Sequence, residues 1–492
     1  MRSRTAGRPR FLAVGFGLLG LVTIALAQET LWVRRLDLGV DEYGYGIAAR
    51  GNAIAVGGLA WGTLTTDWLV VRTNQAGDTA WTRTYDSGLE ECAIGICLDA
   101  ESSVLVAGYA TGYLGAHRSP VWRLLDDKQA WRTLARDQQE HALTAKYDSS
   151  GGLKWLRTDT SHLALGIVAD SAGNCFVSGA YYSGAGYDLW LAKFNPSGDT
   201  IWTRTLDLAP LEIGYRLALD ARGNVAATAY VGDGGNFDCL TLKLTPDGDT
   251  VWTRRFDLGP DDGGCGLAID PNGNIIVAGM TRTDTTSDVL VLKYHSTGVL
   301  LWSKVFDFDL DDGATGAGCD SAGDIYIAGC TGAHYVYDCL VMKLTPAGDV
   351  IWTATYGGSA DDGAYDVACD SAGNPVIAGY ATDSIAGSVD LLMAKYHAVG
   401  GIAESGRSNY GAVRTHSTIT ATPDIILSVP LSGDYDIRLC DLRGDVRQGI
   451  YRGHLSKGAH RFSLARQPAG LYFVRVAAPD GGISCHKLVL VK

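Results

Sequence analysis

The chain has 492 residues, of which 19% are charged, and its formal net charge is −13. This acidic balance argues against nucleic acid or an anionic lipid surface as the partner. The 11 cysteines show neither C-x-x-C spacing nor a cluster with histidine, which argues against a structural metal site built on them.

Residues 1–27 have the features of a signal peptide. A basic start that includes Arg2 and Arg10 precedes an apolar run from Phe11 to Leu26, and residues 25–27 read Ala-Leu-Ala, a small-x-small cleavage site. An uncleaved anchor is the alternative, but glycines interrupt the run and it is short for a membrane span. Residues 1–27 are therefore predicted to direct export, with no membrane span in the mature chain.

A segment of roughly 50 residues recurs seven times after the leader. The copies share a tryptophan that heads an alternating segment, and most carry an aspartate in a D-x-x-G-N or D-x-x-G-D turn. Most also have an aspartate followed five residues later by a basic residue, for which Glu140 and Lys146 are the looser equivalent in the second copy. We call the four short alternating segments of each copy strands a, b, c and d in chain order. Four-stranded repeats of this length predict the blades of a β-propeller.

The two ends of the repeat region predict how the ring closes. Seven sets of strands a, b and c run from Tyr43 to His397, but the seventh set has no tryptophan strand after it. The unassigned tryptophan strand is LWVRRL at 31–36. We therefore predict an all-β fold in which residues 28–402 form a seven-bladed β-propeller closed by the N-terminal strand, which leaves no exposed sheet edge.

The repeat also carries a family resemblance. Its pattern W-x-R-x-[YF]-D…G-[IL]-A-x-D-x-x-G-N-[IV]-x-V-A-G…D-x-L-V-x-K resembles the SBBP-type bacterial β-propeller repeats over residues 31 to about 400. The resemblance implies the propeller fold and says little about function, because propellers host unrelated activities.

One copy is longer than the others, with extra residues at 116–139. This insert has tryptophan and leucine at near-helical spacing, which favours a loop or short helix, while the alternative is the remnant of a degenerate blade. Tryptophan beside arginine is typical of interface anchors and of stacking on sugar rings. The candidate ligand-binding residues are Arg118, Trp122, Arg123, Trp131, Arg132 and Arg136. The competing interpretation is that both tryptophans cover a small core of the insert itself.

The repeat stops after Ile402. Residues 403–416 are predicted to be a linker, and residues 417–492 a small immunoglobulin-like β-sandwich of six or seven strands. The motifs DLRGDV (441–446), LSKGAH (455–460), PAGLYFVRV (468–476) and KLVLVK (487–492) resemble the C-terminal sorting domains of type IX secretion and the related FlgD-like immunoglobulin folds. This resemblance implies delivery to the cell surface by the secretion machinery, and an accessory sandwich without a sorting role is the alternative.

Acidic residues recur where strand d leads into the next strand a. They form the pairs Asp41-Glu42, Glu90-Glu91, Asp261-Asp262, Asp311-Asp312 and Asp361-Asp362. A ring of carboxylates at this edge could hold cations, whereas the alternative is that they accept backbone N–H bonds at strand entrances. The alternating Asp307, Asp309 and Asp311 resemble part of a calcium loop but lack its glycine and its final glutamate, so calcium is a weak expectation and no other cofactor is predicted.

No catalytic constellation stands out in the sequence. The innermost strands are mostly Gly, Ala, Ile, Leu and Cys, which favours a secreted or cell-surface, monomeric propeller with a non-enzymatic binding or structural role and an unknown protein or glycan ligand. The alternative is a hydrolase or lyase acting on polysaccharide or peptide at the carboxylate-bearing face. Two cysteine pairs, Cys330–Cys339 and Cys440–Cys485, could lie on neighbouring strands, which the sequence alone does not establish.

Overall fold

The computed structural model describes residues 30–398, with gaps at 63–64, 113–139, 185, 234–235, 283–285, 309, 334–335, 358–359 and 384–386, and within 413–490 the strands with parts of their connections. Every regular element in these residues is a β-strand, which confirms the all-β prediction. The described part of the chain holds no helix long and apolar enough to cross a bilayer.

Residues 30–398 form consecutive four-stranded antiparallel sheets, one for each repeat. Repeats 1 and 2 supply β2 (Glu42–Arg50), β3 (Ala53–Trp61), β4 (Thr66–Asn74), β5 (Thr79–Tyr85), β6 (Glu90–Leu98), β7 (Val104–Thr111), β8 (His141–Tyr147) and β9 (Leu153–Thr160). Repeats 3 and 4 supply β10 (His162–Ala169), β11 (Cys175–Tyr182), β12 (Tyr187–Phe194), β13 (Thr200–Leu206), β14 (Leu211–Leu219), β15 (Val225–Gly232), β16 (Phe237–Leu244) and β17 (Thr250–Phe256). A parallel bridge between Tyr187 and Leu211 links the sheets of repeats 3 and 4.

The remaining repeats follow the same order. Repeats 5 and 6 supply β18 (Asp262–Ile269), β19 (Ile275–Arg282), β20 (Ser287–Tyr294), β21 (Leu300–Phe306), β22 (Asp311–Cys319), β23 (Ile325–Ala333), β24 (Val336–Leu344) and β25 (Val350–Tyr356). Repeat 7 supplies β26 (Asp362–Cys369), β27 (Pro375–Thr382) and β28 (Val389–Tyr396). Its fourth strand is β1 (Thr30–Leu36), which pairs antiparallel with β28.

Hydrogen bonds to one aspartate side chain build the a–b turn in repeats 2 to 7, as repeat 5 illustrates. Asp270 Oδ1 accepts the backbone N–H groups of Asn272 at 2.9 Å and Asn274 at 2.8 Å. Gly273 has φ +80, a left-handed conformation that glycine adopts without strain. The aspartate of the D-x-x-G-N motif therefore closes the hairpin through local hydrogen bonds.

The repeated lysine anchors this turn and reaches the next repeat. Lys293 Nζ lies 2.9 Å from Asp270 Oδ2, with side-chain exposures of 4% and 1%, and also donates to Pro346 O of repeat 6 at 3.0 Å. Equivalent buried pairs join Lys146 to Asp99, Lys243 to Asp220, Lys343 to Asp320 and Lys395 to Asp370. The lysine therefore serves the architecture of the repeat.

The repeated tryptophan also connects consecutive sheets. Trp202 Nε1 donates to Pro246 O at 3.1 Å, and Trp252 Nε1 donates to Ser296 O at 3.1 Å, in each case in the c–d turn of the next repeat. The Trp202 ring lies against Gly248, whose φ of +85 and lack of a Cβ let the ring approach the turn. Tryptophan recurs at this position because its indole N–H and its ring both contact the c–d turn of the next repeat.

Residues 413–490 contain two further antiparallel sheets. A three-stranded sheet has the order β29 (Val413–Thr415), β30 (Asp424–Val429), β33 (Gly458–Ser463), and a four-stranded sheet has the order β32 (Val446–Leu455), β31 (Gly433–Asp441), β34 (Gly470–Ala477), β35 (Ile483–Leu490). Ile437, Leu439, Val474 and Val476 are among the buried residues of their core. Among the described residues, no strand of this region pairs with a strand of the repeats.

The two cysteine expectations have different outcomes. Cys330 on β23 and Cys339 on β24 are direct cross-strand partners, and both are buried free thiols. Cys440 and Cys485 do not lie on neighbouring strands, because β34 lies between β31 and β35. Strand order in this sheet differs from chain order, and the sequence carries no local signal for it.

Candidate functional site

Carboxylates converge at the edge where strand d leads into the next strand a. At five of these junctions, three carboxyl groups each contribute an oxygen to a cluster whose oxygens lie within 4.8 Å of one another. We call these clusters the junction triads. They are Asp37, Glu42 and Asp390; Asp67, Asp86 and Glu91; Asp188, Asp207 and Glu212; Asp238, Asp257 and Asp262; and Asp288, Asp307 and Asp312.

Each triad has the same construction. One member begins strand c of a repeat, one follows strand d of that repeat, and the third begins strand a of the next repeat. The third member is buried in every triad: Glu42 and Glu212, for example, are fully buried and Asp312 is 2% exposed. The triads therefore combine an exposed carboxylate with a buried one.

The buried member is held by the preceding loop. Glu212 Oε1 accepts the backbone N–H of Leu208 at 2.8 Å, as Glu42 Oε1 does from Leu38 and Asp312 Oδ2 from Phe308. The other carboxylate oxygen of each is buried and has no hydrogen-bond partner among the described residues. One oxygen is thus fixed in place while the second remains available.

Burial is the main influence on the ionisation of these carboxyl groups. It raises the pKa of Glu42 and of Glu212 to about 7, although backbone N–H donors lower it and neighbouring aspartates raise it. Burial likewise raises the pKa of Asp312 to about 6, with Asp288 and Asp307 adding to the shift. The triads therefore concentrate negative charge that the surrounding protein does not fully stabilise.

The paired acidic residues of the sequence have divided roles. Asp41 Oδ1 accepts the backbone N–H of Val389 at 3.0 Å, and Asp361 Oδ1 accepts that of Tyr337 at 3.1 Å, so the first member of a pair caps strand c of the preceding repeat. The second member joins a triad in four of the five pairs. Acceptance of backbone N–H groups, one of the two alternatives that the sequence left open, is therefore seen for both members of a pair, as Asp41 and Glu42 illustrate.

The structure groups Asp307 differently from the calcium-loop expectation. Asp307 lies with Asp288 and Asp312. Asp311 Oδ1 instead accepts the backbone N–H of Ser287 at 3.4 Å, and Asp309 lies outside the described residues. Neighbours in sequence separate here because strand β22 turns their side chains to different sides.

Among the described residues, two junctions lack a complete triad. At the junction of repeats 6 and 7, Gly357 stands where Asp207, Asp257 and Asp307 stand at 50-residue spacing, and a Cβ there would lie 2.2 Å from Asp338 Oδ1. At the junction of repeats 2 and 3, His162 stands where Glu212 stands, and Glu140 accepts the Tyr187 hydroxyl at 2.5 Å.

Side chains from strand a of several repeats meet around one small cavity. Every a–b strand pair of repeats 1 to 7 has a register shift at the same level, and the extra residue of such a bulge turns its side chain away from the regular pleat. The residues at the shifts are Tyr45, Ile94, Leu165, Tyr215, Cys265, Thr315 and Tyr365. Six of them, with Arg216, line a cavity of about 10 Å³, which has room for about one water molecule.

An ion pair between two repeats lies beside this cavity. Arg216 Nη2 lies 3.3 Å from Asp366 Oδ2, with side-chain exposures of 15% and 14%. Arg216 also donates to Tyr45 O at 3.0 Å and to Ile94 O at 3.2 Å, and Asp366 Oδ2 accepts the N–H of Ile47 at 3.0 Å. These contacts join four repeats at the centre.

Sequence analysis missed this pair. The 50-residue spacing places Gly166, Gly266 and Gly316 in register with Arg216 and Asp366, so the departure from glycine was visible. The innermost strands are therefore not apolar throughout, since they carry a charged residue at these two positions. Arg216 and Asp366 are accommodated there because each neutralises the other.

The six candidate ligand-binding residues of the insert lie outside the described residues. The strands on either side are described: β7 and β8 are adjacent, and with β6 and β9 they complete the sheet of repeat 2. Thr111, at the end of β7, pairs with Glu90. The insert therefore starts at the same edge as the triads.

No protein-family model and no curated protein sequence matches this chain. Solved structures that resemble it include puromycin hydrolase, at 14% identity and a TM-score of 0.42, with 79% of this chain and 58% of the hydrolase covered. The chain thus spans little more than half the length of that protein.

Two further similar structures are β-propellers. The Dos1 propeller has 9% identity and a TM-score of 0.42 over 94% of this chain and 96% of its own. The β-propeller domain of the Trilobed protease from Pyrococcus furiosus has 9% identity and a TM-score of 0.40 over 75% and 99%. These similarities concern fold and carry no argument about activity.

Proposed function

We propose that this chain is an exported seven-bladed β-propeller that binds a protein or glycan and catalyses no reaction. The seven repeats form a ring, and β1 completes the last blade. In support, each a strand contacts the a strand of the next repeat, and β26 of repeat 7 contacts β2 of repeat 1. Trp32 Nε1 donates to Gln75 O at 3.1 Å and Lys395 Nζ to Gln75 Oε1 at 2.7 Å, which repeats between blades 7 and 1 the contacts seen between other neighbours.

The filled axis is the observation that carries the non-enzymatic assignment. A propeller enzyme that works at its axis needs a pocket that admits the substrate, and ligand pockets usually measure several hundred cubic ångströms, roughly 300–1,000 Å³. The cavity between the described axial residues is about 10 Å³. The alternative, a polysaccharide or peptide hydrolase or lyase, would need the Arg216–Asp366 pair to separate and the tyrosines to move.

The binding surface of the proposal is the carboxylate-bearing edge beside the insert at 116–139. Repeats present nearly equivalent surfaces, so selectivity for one ligand must come from what is not repeated. The insert is the largest such element and carries tryptophan with arginine, a composition that suits protein or sugar recognition.

A binding and turnover screen tests this function. The mature chain is applied to glycan and peptide arrays while hydrolysis of the same compounds is followed, and we expect a ligand to bind without turnover. Excising 117–139 should abolish binding of that ligand and leave the melting temperature unchanged, because the sheet of repeat 2 is complete without these residues. Turnover of any compound would refute the non-enzymatic assignment, and unchanged affinity would exclude the insert.

The last part of the proposal concerns delivery. The leader and residues 417–492 export the protein and sort it to the cell surface, as the type IX resemblance implies. Truncation after Ser405 should leave a folded propeller, because no described strand of residues 413–490 pairs with the repeats. In the native host the truncated form should accumulate in the periplasm, as fractionation and surface proteolysis would show. Normal surface delivery would contradict the sorting role.

A further inference from the structure

Each junction triad places three carboxyl groups close together. Formation of the neighbouring hairpins does not require this. In two triads an arginine is near, since Arg35 contacts Asp390 and Arg255 contacts Asp238. Among the described residues, no ion pair reaches the triad of Asp188, Asp207 and Glu212. Three carboxylates at such distances repel one another unless protons or a cation neutralise them.

Buried oxygens without partners are a second, independent observation. In every triad the carboxylate that begins strand a is at most 2% exposed and leaves one oxygen with no hydrogen-bond partner. In the triads of repeats 4 and 5, Asp238 and Asp288 of strand c also leave a buried oxygen unsatisfied. Proteins rarely bury polar atoms in this way unless a ligand, ion or water satisfies them.

The donor set identifies the class of ligand. All three groups are carboxylates, and hard cations prefer oxygen ligands. Oxygens up to 4.8 Å apart fit opposite sides of one ion at Ca²⁺–oxygen distances of about 2.4 Å. Mg²⁺ requires shorter distances, about 2.1 Å, and a stricter octahedron. The exposed member of each triad leaves room for water to complete the coordination shell.

We propose that the five junction triads are Ca²⁺ sites, each shared by two consecutive repeats of the propeller. In a triad the cation is held by strand c and the end of strand d of one repeat and by strand a of the next. Each bound ion therefore ties neighbouring sheets together at the edge opposite the lysine–aspartate pairs. The two junctions with Gly357 and with His162 bind no ion. One chain therefore binds five ions, one for each triad, and not seven, one for each repeat.

Calcium stoichiometry tests this proposal directly. The full-length protein is stripped with chelator and dialysed against radiolabelled Ca²⁺ at up to about 1 mM, the upper range of affinities for extracellular calcium modules. We expect five ions per chain. Asp207→Asn should bind one ion fewer, and Asp207→Asn with Asp257→Asn should bind two fewer. Both residues are exposed and no hydrogen bond of their side chains is seen in the described structure, so the variants should fold.

Asp249→Asn is the matched control, since Asp249 is an exposed aspartate at the opposite edge. It should bind as many ions as the parent. Melting in chelator checks that all variants fold like the parent, and Ca²⁺ should raise the melting temperature less in the Asp207 and Asp257 variants. If the parent binds no Ca²⁺, or if the triad variants bind as many ions as the control, the triads carry protons instead and the proposal is wrong.

Discussion

Deleting residues 28–37 is expected to abolish cooperative folding of the repeat region or to cause aggregation. β1 pairs with β28 from Thr30 to Leu36, so its loss leaves the backbone of β28 without a partner on one side. It also removes Trp32 and its hydrogen bond to Gln75. The lost hydrogen bonds and apolar burial amount to roughly 5 kcal/mol or more, which is comparable to the whole stability of many domains.

Thermal unfolding by circular dichroism, with light scattering in parallel, measures this effect. A synthetic peptide of residues 28–37 added to the deletion variant is the control, and it should restore the transition if the deficit is the missing strand. A peptide with the same composition in scrambled order should not restore it. A deletion variant that melts like the parent would show that β1 does not complete the last blade.

Lys293→Met is expected to destabilise the repeat region by roughly 3–5 kcal/mol, because it leaves Asp270 as a buried charge without its partner. Both side chains are almost inaccessible, at 4% and 1%. Burial opposes ionisation of Asp270, but the hydrogen bonds from Lys293 and Asn274 outweigh it, and the pKa of Asp270 is lowered. Denaturant unfolding at pH 7 measures the loss.

The pH dependence of the same pair has a definite sign. Because the folded pKa of Asp270 lies below its unfolded value of about 3.9, the pair stabilises the protein above that pH. Its contribution is lost as the pH falls through the folded pKa. The difference between parent and Lys293→Met should therefore be large at pH 7 and smaller at pH 3.

Lys304→Met provides the matched control. Lys304 pairs with Asp349 at the same 2.9 Å, but the side chains are 31% and 73% exposed. Water screens such a pair, so its loss should change stability by less than about 1 kcal/mol. Equal losses in the two variants would mean that burial of the Lys293–Asp270 pair has no special role.

Local chemistry made much of the repeat region predictable from the sequence. The turn at Asp270 depends on contacts within five residues, so the D-x-x-G-N motif was sufficient to place the hairpin. Alternation of apolar and polar residues placed the strands. Recurrence of tryptophan and lysine indicated an architectural role, since a side chain needed in every repeat serves what the repeats share.

Tertiary structure alone decided which acidic residues meet. The members of a triad lie in or beside three strands of two repeats. Proximity in sequence therefore predicted the wrong group: Asp307 lies with Asp312 and not with Asp311. Arg216 and Asp366 meet because the tertiary arrangement brings strands of repeats 4 and 7 together. In residues 413–490, β34 lies between β31 and β35. The sequence did not predict this order, because strand pairing depends on long-range packing that no local pattern encodes.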